Sequence, residues 1–305
     1  MKLGFGTQLW INYDNYGNLH RMFDELALLK YDGVEIGFRF VRDIYGGARD
    51  QLAEILRMHA LEVSACYQGI DYKEREALEE GVREAKRTID FYAGLGCRVF
   101  LLDAAVEKPV WNASTGFRYR YTDDHMKTAA ETANQLGSYA KAKGMGLAWH
   151  THWGNFFEDK ALFRRFWDLT DPSLVGMCCD TGQCVLCGYD PVEFVRDNIK
   201  RMAHLHFKDV TFAGRPQGEL WPGGPKVPDN DGAHALDAKG RWVELGRGVV
   251  DFPSIAKVIR EAGYDGWIVD DFDFSCYPPM QAAKACKDYL NQALGIWGPK
   301  DAPSR

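Results

Sequence analysis

Residues 145–152 read Met145-Gly146-Leu147-Ala148-Trp149-His150-Thr151-His152, an apolar run that ends on two imidazoles. Such a run reads as a buried strand, and side chains two apart on a strand share a face, so His150 and His152 point the same way. The pattern recurs: "LVGMCCD" ends on Asp180, "MAHLHF" carries His204 and His206, and "GWIVDDF" carries Asp270 and Asp271. Earlier runs close on or near Gln8, Glu35, Tyr67 and Asp103. Carboxylates and imidazoles gathered in one place make a divalent-metal site, and their mixed oxygen and nitrogen donors suit Mn²⁺, Co²⁺, Fe²⁺ or Zn²⁺ without thiolate. An imidazole also titrates near neutrality and can carry protons. For His204 the stronger reading is structural, because a neutral buried imidazole needs only hydrogen-bond partners.

These residues lie far apart in the chain, so their chemistry depends on the elements that position them. Eight apolar runs read as strands, over residues 2–8, 33–38, 61–67, 98–104, 146–152, 174–180, 202–207 and 266–272. Amphipathic stretches lie between them, among them 19–30, 48–60, 125–144 and 252–263, with apolar residues at helical spacing. The strands are apolar on both faces, as parallel strands covered by helices must be. Strand–helix repeats of this kind predict an α/β fold, a (β/α)8 TIM barrel, formed as a single domain over residues 1–305. An open doubly wound sheet would carry a Gly-rich turn after its first strand, and "GTQLWINYDN" does not. In a closed parallel barrel all strand C-termini point at one mouth, so the acids and imidazoles above converge there. A long polar insertion, residues 210–250, follows the seventh strand on that face, where long loops usually cover or shape a site.

Composition narrows the function. The 305 residues are 46% hydrophobic and 26% charged with a formal net charge of −6, which argues against a nucleic-acid partner and its basic face. No apolar run approaches the roughly 20 residues of a membrane span, and "MKLGFGTQLW" lacks the features of a secretory leader, so a cytoplasmic location is expected. Of the eight cysteines, Cys66, Cys97, Cys178 and Cys179 sit in strand-like contexts and read as reduced packing residues. Cys184 and Cys187 form a C-x-x-C pair with no second pair and no thioredoxin-like context to give it a zinc or redox role.

"CCDTGQCVLCGYDP" (178–191), "HLHFKDV" (204–210), "ELGRGVVDFPSIAKVIREAGYDGWIVDDFD" (244–273) and "AAKACKDYL" (282–290) resemble the xylose-isomerase-like TIM-barrel superfamily of sugar phosphate isomerases/epimerases and dehydratases. The resemblance spans essentially the whole chain, and "HTHWGN" is most similar to the fifth-strand segment of the inosose dehydratases within it. It implies one divalent metal ion (Mn, Co, Mg, Fe or Zn, with Mn²⁺ favoured) held by His150, Asp180, His206 and Asp271. This sequence departs from the family pattern in carrying His150 and Asp271 where Glu is usual, and Gln183 where His is usual. Glu158, in the following loop, is a substitute ligand.

The chemistry the resemblance implies is proton abstraction α to a carbonyl, assisted by the metal as a Lewis acid. His152 is the expected base or acid, Glu35 or Glu158 the second proton carrier or hydroxyl anchor, and Lys208 the cation for a developing oxyanion. For Lys208 the competing role is an ion pair with Asp209. Trp10, Trp153 and Trp221 are candidates to stack on a sugar ring, whereas Trp149 reads as core. The His-x-His segment favours β-elimination from a keto-sugar or keto-cyclitol. An isomerase or epimerase of a free ketose or keto acid is the alternative, and a non-catalytic sugar-binding barrel a weaker one. The expected partner is a small carbohydrate or cyclitol, with no nucleic acid and no membrane, and a homo-oligomer is compatible with these expectations.

Overall fold

The apolar runs form the strands β1 (Lys2–Gly6), β2 (Gly33–Glu35), β3 (Glu62–Val63), β4 (Cys66–Ile70) and β5 (Val99–Ala104). Two short strands, β6 (Val110–Asn112) and β7 (Gly116–Arg118), pair antiparallel. The series resumes with β8 (Gly146–His150), β9 (Val175–Asp180) and β10 (Met202–Phe207), then an antiparallel pair β11 (Asp209–Thr211) and β12 (Arg241–Val243), and ends with β13 (Trp267–Asp270). The computed structural model describes residues 1–14, 19–37, 46–105, 110–112, 116–118, 121–211, 241–275 and 277–300. Within the large sheet the order is β3-β2-β1-β13-β10-β9-β8-β5-β4, and every pairing is parallel. Because β3 and β4 are separated only by Ser64 and Ala65, they are one interrupted third strand, and the sheet closes on itself as the predicted eight-stranded barrel.

The helices α1 (Gln8–Asp14), α2 (Leu19–Leu28), α3 (Arg49–Met58), α4 (Arg75–Ala93), α5 (Asp123–Ala142), α6 (Lys160–Leu169), α7 (Thr181–Leu186), α8 (Pro191–Asn198), α9 (Phe252–Glu261) and α10 (Pro279–Asp288) connect these strands. Local sequence starts them where the connections need them. Asp159 caps α6 by accepting from the backbone N–H groups of Ala161 and Leu162 at 3.0 and 2.9 Å, and Asp190 precedes Pro191 at the first turn of α8. Helix α9 buries Phe252, Ile255, Ala256 and Ile259, a helical stripe laid on the sheet. Among the described residues no helix is long and apolar enough to cross a membrane.

Several strands end earlier than the apolar pattern suggests. The first stops at Gly6 and Gln8 opens α1; the second stops at Glu35, the fifth at His150 and the last at Asp270. The chain stays extended and bonded just past those ends: the N–H of Thr7 donates to Glu35 O, that of Thr151 to Cys178 O and that of Asp271 to Phe207 O, each at 3.1 Å. His152 and Asp271 therefore sit beyond the strands on loop backbone, where the ladder no longer dictates the conformation. The ends of the predicted insertion pair as the β11–β12 ribbon, while residues 212–240, and Trp221 with them, lie outside the described residues.

Side-chain alternation sorts the barrel strands into two cores. Leu101, Ala148 and Cys178, with Ala65 and Val99, form a small cluster inside the barrel, while Phe100, Leu102, Leu147, Trp149 and Cys179 belong to the larger core between sheet and helices. Stepping two residues toward the mouth from the inner set reaches Asp103, His150 and Asp180. The described cysteines, Cys184 and Cys187 included, are all free.

Candidate active site

His150 and His206 face one another across the mouth, with His150 Nε2 3.1 Å from His206 Nδ1. The outer nitrogen of each ring meets a carboxylate: His150 Nδ1 lies 3.4 Å from Asp103 Oδ2, and His206 Nε2 lies 2.9 Å from Glu35 Oε2. A carboxylate accepts, so each ring carries a proton on its outer nitrogen and turns its other nitrogen inward, where it can hold a proton or a metal cation. Two lone pairs at that separation repel unless a proton or a metal cation lies between them. Burial alone would lower the His150 pKa, but the hydrogen bond to Asp103 and the negative charges of Asp103 and Asp180 outweigh it and lift the ring to about 10. Burial likewise pushes the Glu35 carboxyl up, and the His206 charge with hydrogen bonds from both His204 and His206 overcomes this and holds it at about 2.

Two further carboxylates complete the cluster. Asp180 Oδ2 is buried, has no hydrogen-bond partner among the described residues and lies 3.8 Å from His150 Nε2, and Asp271 Oδ2 lies 3.6 Å from His206 Nδ1. One donor atom from each of His150, Asp180, His206 and Asp271 falls within 4.8 Å of all the others. A buried carboxylate oxygen without a hydrogen-bond partner beside two inward ring nitrogens is the donor set of a divalent cation once the nitrogens give up their protons, so these residues fit the metal expected of them. Glu35, His204 and His206 make a second close group, in which Glu35 Oε2 accepts from His204 Nε2 at 3.1 Å, and His204 otherwise sits buried as the sequence suggested.

The strand ends are latched to one another by threonines. Thr151 Oγ1 accepts from the N–H of Asp180 at 2.9 Å. Thr181 Oγ1 accepts from the N–H of Lys208 at 2.9 Å and donates to Lys208 O at 2.7 Å. Asp180 Oδ1 also caps α7 by accepting from the N–H of Gln183 at 2.9 Å, which leaves its other oxygen for the cluster. Asn155, which the sequence reading passed over, donates to Asp103 Oδ1 at 2.9 Å and so helps to fix the carboxylate that orients His150. Its place in "HTHWGN", five residues past His150, was the available signal.

Beside the cluster lies a cavity of about 520 Å³, in the range that holds a small-molecule ligand. Glu35, His150, His152, His206, Lys208 and Asp271 all line it, as do Gly6, Gly69 and Asp273. His152 Nδ1–H donates to the carbonyl of Trp153, and burial holds its pKa below the ordinary imidazole range. Lys208 pairs with Asp273 at 2.6 Å and Asp271 at 3.0 Å rather than with Asp209, whose carboxylate instead accepts from the N–H groups of Val210, Gly246, Gly248 and Val250.

Other predicted residues lie elsewhere. Glu158 accepts from the N–H of Gly154 at 2.8 Å and does not line the cavity. Trp10 is buried, packs edge-on against Phe5 and donates its indole N–H to Glu25 at 2.7 Å, and Trp153 is buried with its backbone N–H donating to Gln183 Oε1 at 3.1 Å; neither lines the cavity. Asp270, one residue from Asp271, has the opposite phase and accepts from Tyr31 OH at 2.6 Å on the helix side of the sheet.

A family model described as Xylose isomerase-like TIM barrel matches residues 23–290. Inosose dehydratase of Clostridium perfringens (strain 13 / Type A) is 26% identical over 312 residues, covering 97% of this chain and 98% of that protein. Among solved structures, 3-keto-D-glucoside 4-epimerase from E. coli has a TM-score of 0.70 at 17% identity, covering 95% of this chain and 99% of that one. The probable 3-DHS dehydratase involved in petrobactin synthesis from Bacillus anthracis has a TM-score of 0.70 at 13% identity, covering 96% of this chain and 99% of that one. A match this long, in a chain whose strand order closes the same parallel barrel, settles the kinship: the protein belongs to the xylose isomerase-like TIM-barrel family.

Proposed function

We propose that this chain is a metal-dependent lyase that abstracts the proton α to the carbonyl of a keto-sugar or keto-cyclitol and eliminates the β-hydroxyl as water. The observation that carries this reading is the facing of His150 Nε2 and His206 Nδ1, 3.1 Å apart, beside Asp180 Oδ2, which has no hydrogen-bond partner among the described residues, and next to the cavity. His150, Asp180, His206 and Asp271 are the residues that would hold one divalent ion, and Mn²⁺ is the first to test. When bound, such an ion supplies Lewis acidity to a substrate oxygen beside the carbon that loses its proton.

His152 is the base. Its Nδ1–H is committed to the Trp153 carbonyl, which leaves the lone pair on Nε2, and burial keeps the ring neutral near pH 7. The imidazolium formed by taking the α-proton can give that proton to the departing hydroxyl, which leaves as water with no net proton consumed. Glu35, held ionised, accepts from a substrate hydroxyl, and Lys208 offers a cation to the developing oxyanion. Glu35, Asp271 and Asp273 give the cavity an acidic wall that suits neutral hydroxyls better than a phosphate. Relatives named inosose dehydratase, matched nearly end to end, support elimination over epimerisation.

The test is incubation with inosose and Mn²⁺ in D₂O, followed by proton NMR. Elimination is expected to give a dehydrated keto product. Exchange of C–H for C–D with every oxygen retained would replace the lyase by an epimerase or isomerase. Unchanged substrate over a metal-loaded protein, across inosose, keto-glycosides and ketoses, would leave only a sugar-binding barrel.

A further inference from the structure

The Lys208 ammonium is buried among three carboxylates, 2.6 Å from Asp273 Oδ2, 3.0 Å from Asp271 Oδ2 and 3.9 Å from Asp180 Oδ2. Two of these are the same oxygens that approach His206 Nδ1 and His150 Nε2. The third, on Asp273, stands outside the group of mutually close donors. An internal cation thus abuts two of the oxygens that a divalent ion would use, and one more carboxylate lies within its reach on the far side.

The side chain has little room to go elsewhere. Thr181 bonds both backbone groups of Lys208. The Trp242 ring lies 4.6 Å from the ammonium. The stem fills the space beside Gly182, where an added Cβ would come within 3.0 Å of Lys208 Cγ and 2.8 Å of Trp242. Held this way, the ammonium can shift its weight between Asp271 and Asp273 and little further.

We propose that Lys208 competes with the divalent ion for Asp271 and Asp180, and that Asp273 is a positioning residue that takes the ammonium when the ion is bound, so that the Lys208–Asp273 pair sets the metal affinity of the site. This rests on the reading that His150, Asp180, His206 and Asp271 hold the ion. Two opposite effects follow. Removing the Lys208 charge frees two ligand oxygens and tightens binding. Removing the Asp273 charge drives Lys208 onto Asp271 and weakens it.

The experiment is calorimetric titration of the metal-stripped protein with Mn²⁺ alone, for the wild type, Lys208→Gln, Asp273→Asn, the double variant and Asp180→Ala, with circular dichroism to check folding. Lys208→Gln is expected to bind about tenfold more tightly and Asp273→Asn about fivefold more weakly, in line with a unit charge removed a few ångströms from a divalent ion. In the Lys208→Gln background the Asp273→Asn penalty should nearly vanish. An equal penalty in both backgrounds would mean that Asp273 acts through its own charge and would overturn the proposal, as would unchanged affinity in Lys208→Gln. Absence of Mn²⁺ binding in both wild type and Lys208→Gln, or undiminished binding by Asp180→Ala, would instead remove the metal reading beneath it. Should Lys208→Gln fail to fold, crystal structures of the wild type with and without Mn²⁺ decide the matter. Lys208 should leave Asp271 and stay on Asp273, and a lysine still bonded to Asp271 in the loaded protein would refute the exchange.

Discussion

The two halves of the barrel face the same mouth with different equipment. From the second half, β8, β9, β10 and the residue just past β13 bring His150, Asp180, His206 and Asp271, whose donor atoms converge within 4.8 Å. From the first half, β1, β2, β4 and β5 bring Gly6, Glu35, Tyr67 and Asp103. Glu35 and Asp103 touch the outer nitrogens of the two histidines, Tyr67 OH donates to Asp103 at 3.3 Å, and Gly6 leaves space where a Cβ would come within 3.2 Å of Asp271 Oδ1. The second half supplies donors; the first half orients them and keeps room for a ligand. Similar strands, repeated around one ring, divide the labour because a donor with an unfixed tautomer or rotamer is a poor ligand.

That contrast can be broken at its strongest point first. Asp180→Ala is expected to lower turnover by about a thousandfold and to abolish stoichiometric Mn²⁺ binding, because it removes the unpartnered oxygen of the donor set. The lost cap on α7 costs only about 1 kcal/mol, so the melting profile should stay cooperative. Turnover near that of the wild type would end the assignment.

Next in size, His152→Ala should cost about a hundredfold or more in kcat while Mn²⁺ affinity stays within about twofold, as befits a proton carrier outside the donor set. A large loss of affinity would move His152 among the ligands. Asp103→Asn tests the first half directly. Metal affinity should weaken by about ten- to a hundredfold, although Asp103 lies outside the group of converging donors. Equal affinity would show that His150 needs no orientation from β5. Smallest at the site is Tyr31→Phe, which strips Asp270 of its hydroxyl donor on the other side of the sheet. Chemical denaturation should register a loss of about 1–3 kcal/mol, with Mn²⁺ affinity unmoved. A shift in affinity would mean that the two faces of β13 are coupled.

The strand repeat and its parallel arrangement were legible because apolar runs on both faces, separated by amphipathic stretches, are what a buried parallel strand requires. Parity made part of the site legible too: His150 and Asp180 fall two residues beyond Ala148 and Cys178, which face the barrel interior. Trp10 misled the reading, since an aromatic ring near a strand end fits a core contact with Phe5 as readily as a sugar platform. Asp270 and Asp271 are indistinguishable by type; one packs against Tyr31 and the other lines the cavity.

By itself, the order of residues determined which chemical groups exist and which strand each rides on, because burial and alternation are local properties of the chain. Only the tertiary structure decided who meets whom. Asp103 meets His150 across 47 positions, Glu35 meets His206 across 171, and Lys208 prefers Asp271 and Asp273 to its chain neighbour Asp209. Those meetings fix which nitrogen of each imidazole a carboxylate holds, and hence which one is left facing the donor cluster. That choice is set by distances through space, which closure of the barrel creates and spacing along the chain does not encode.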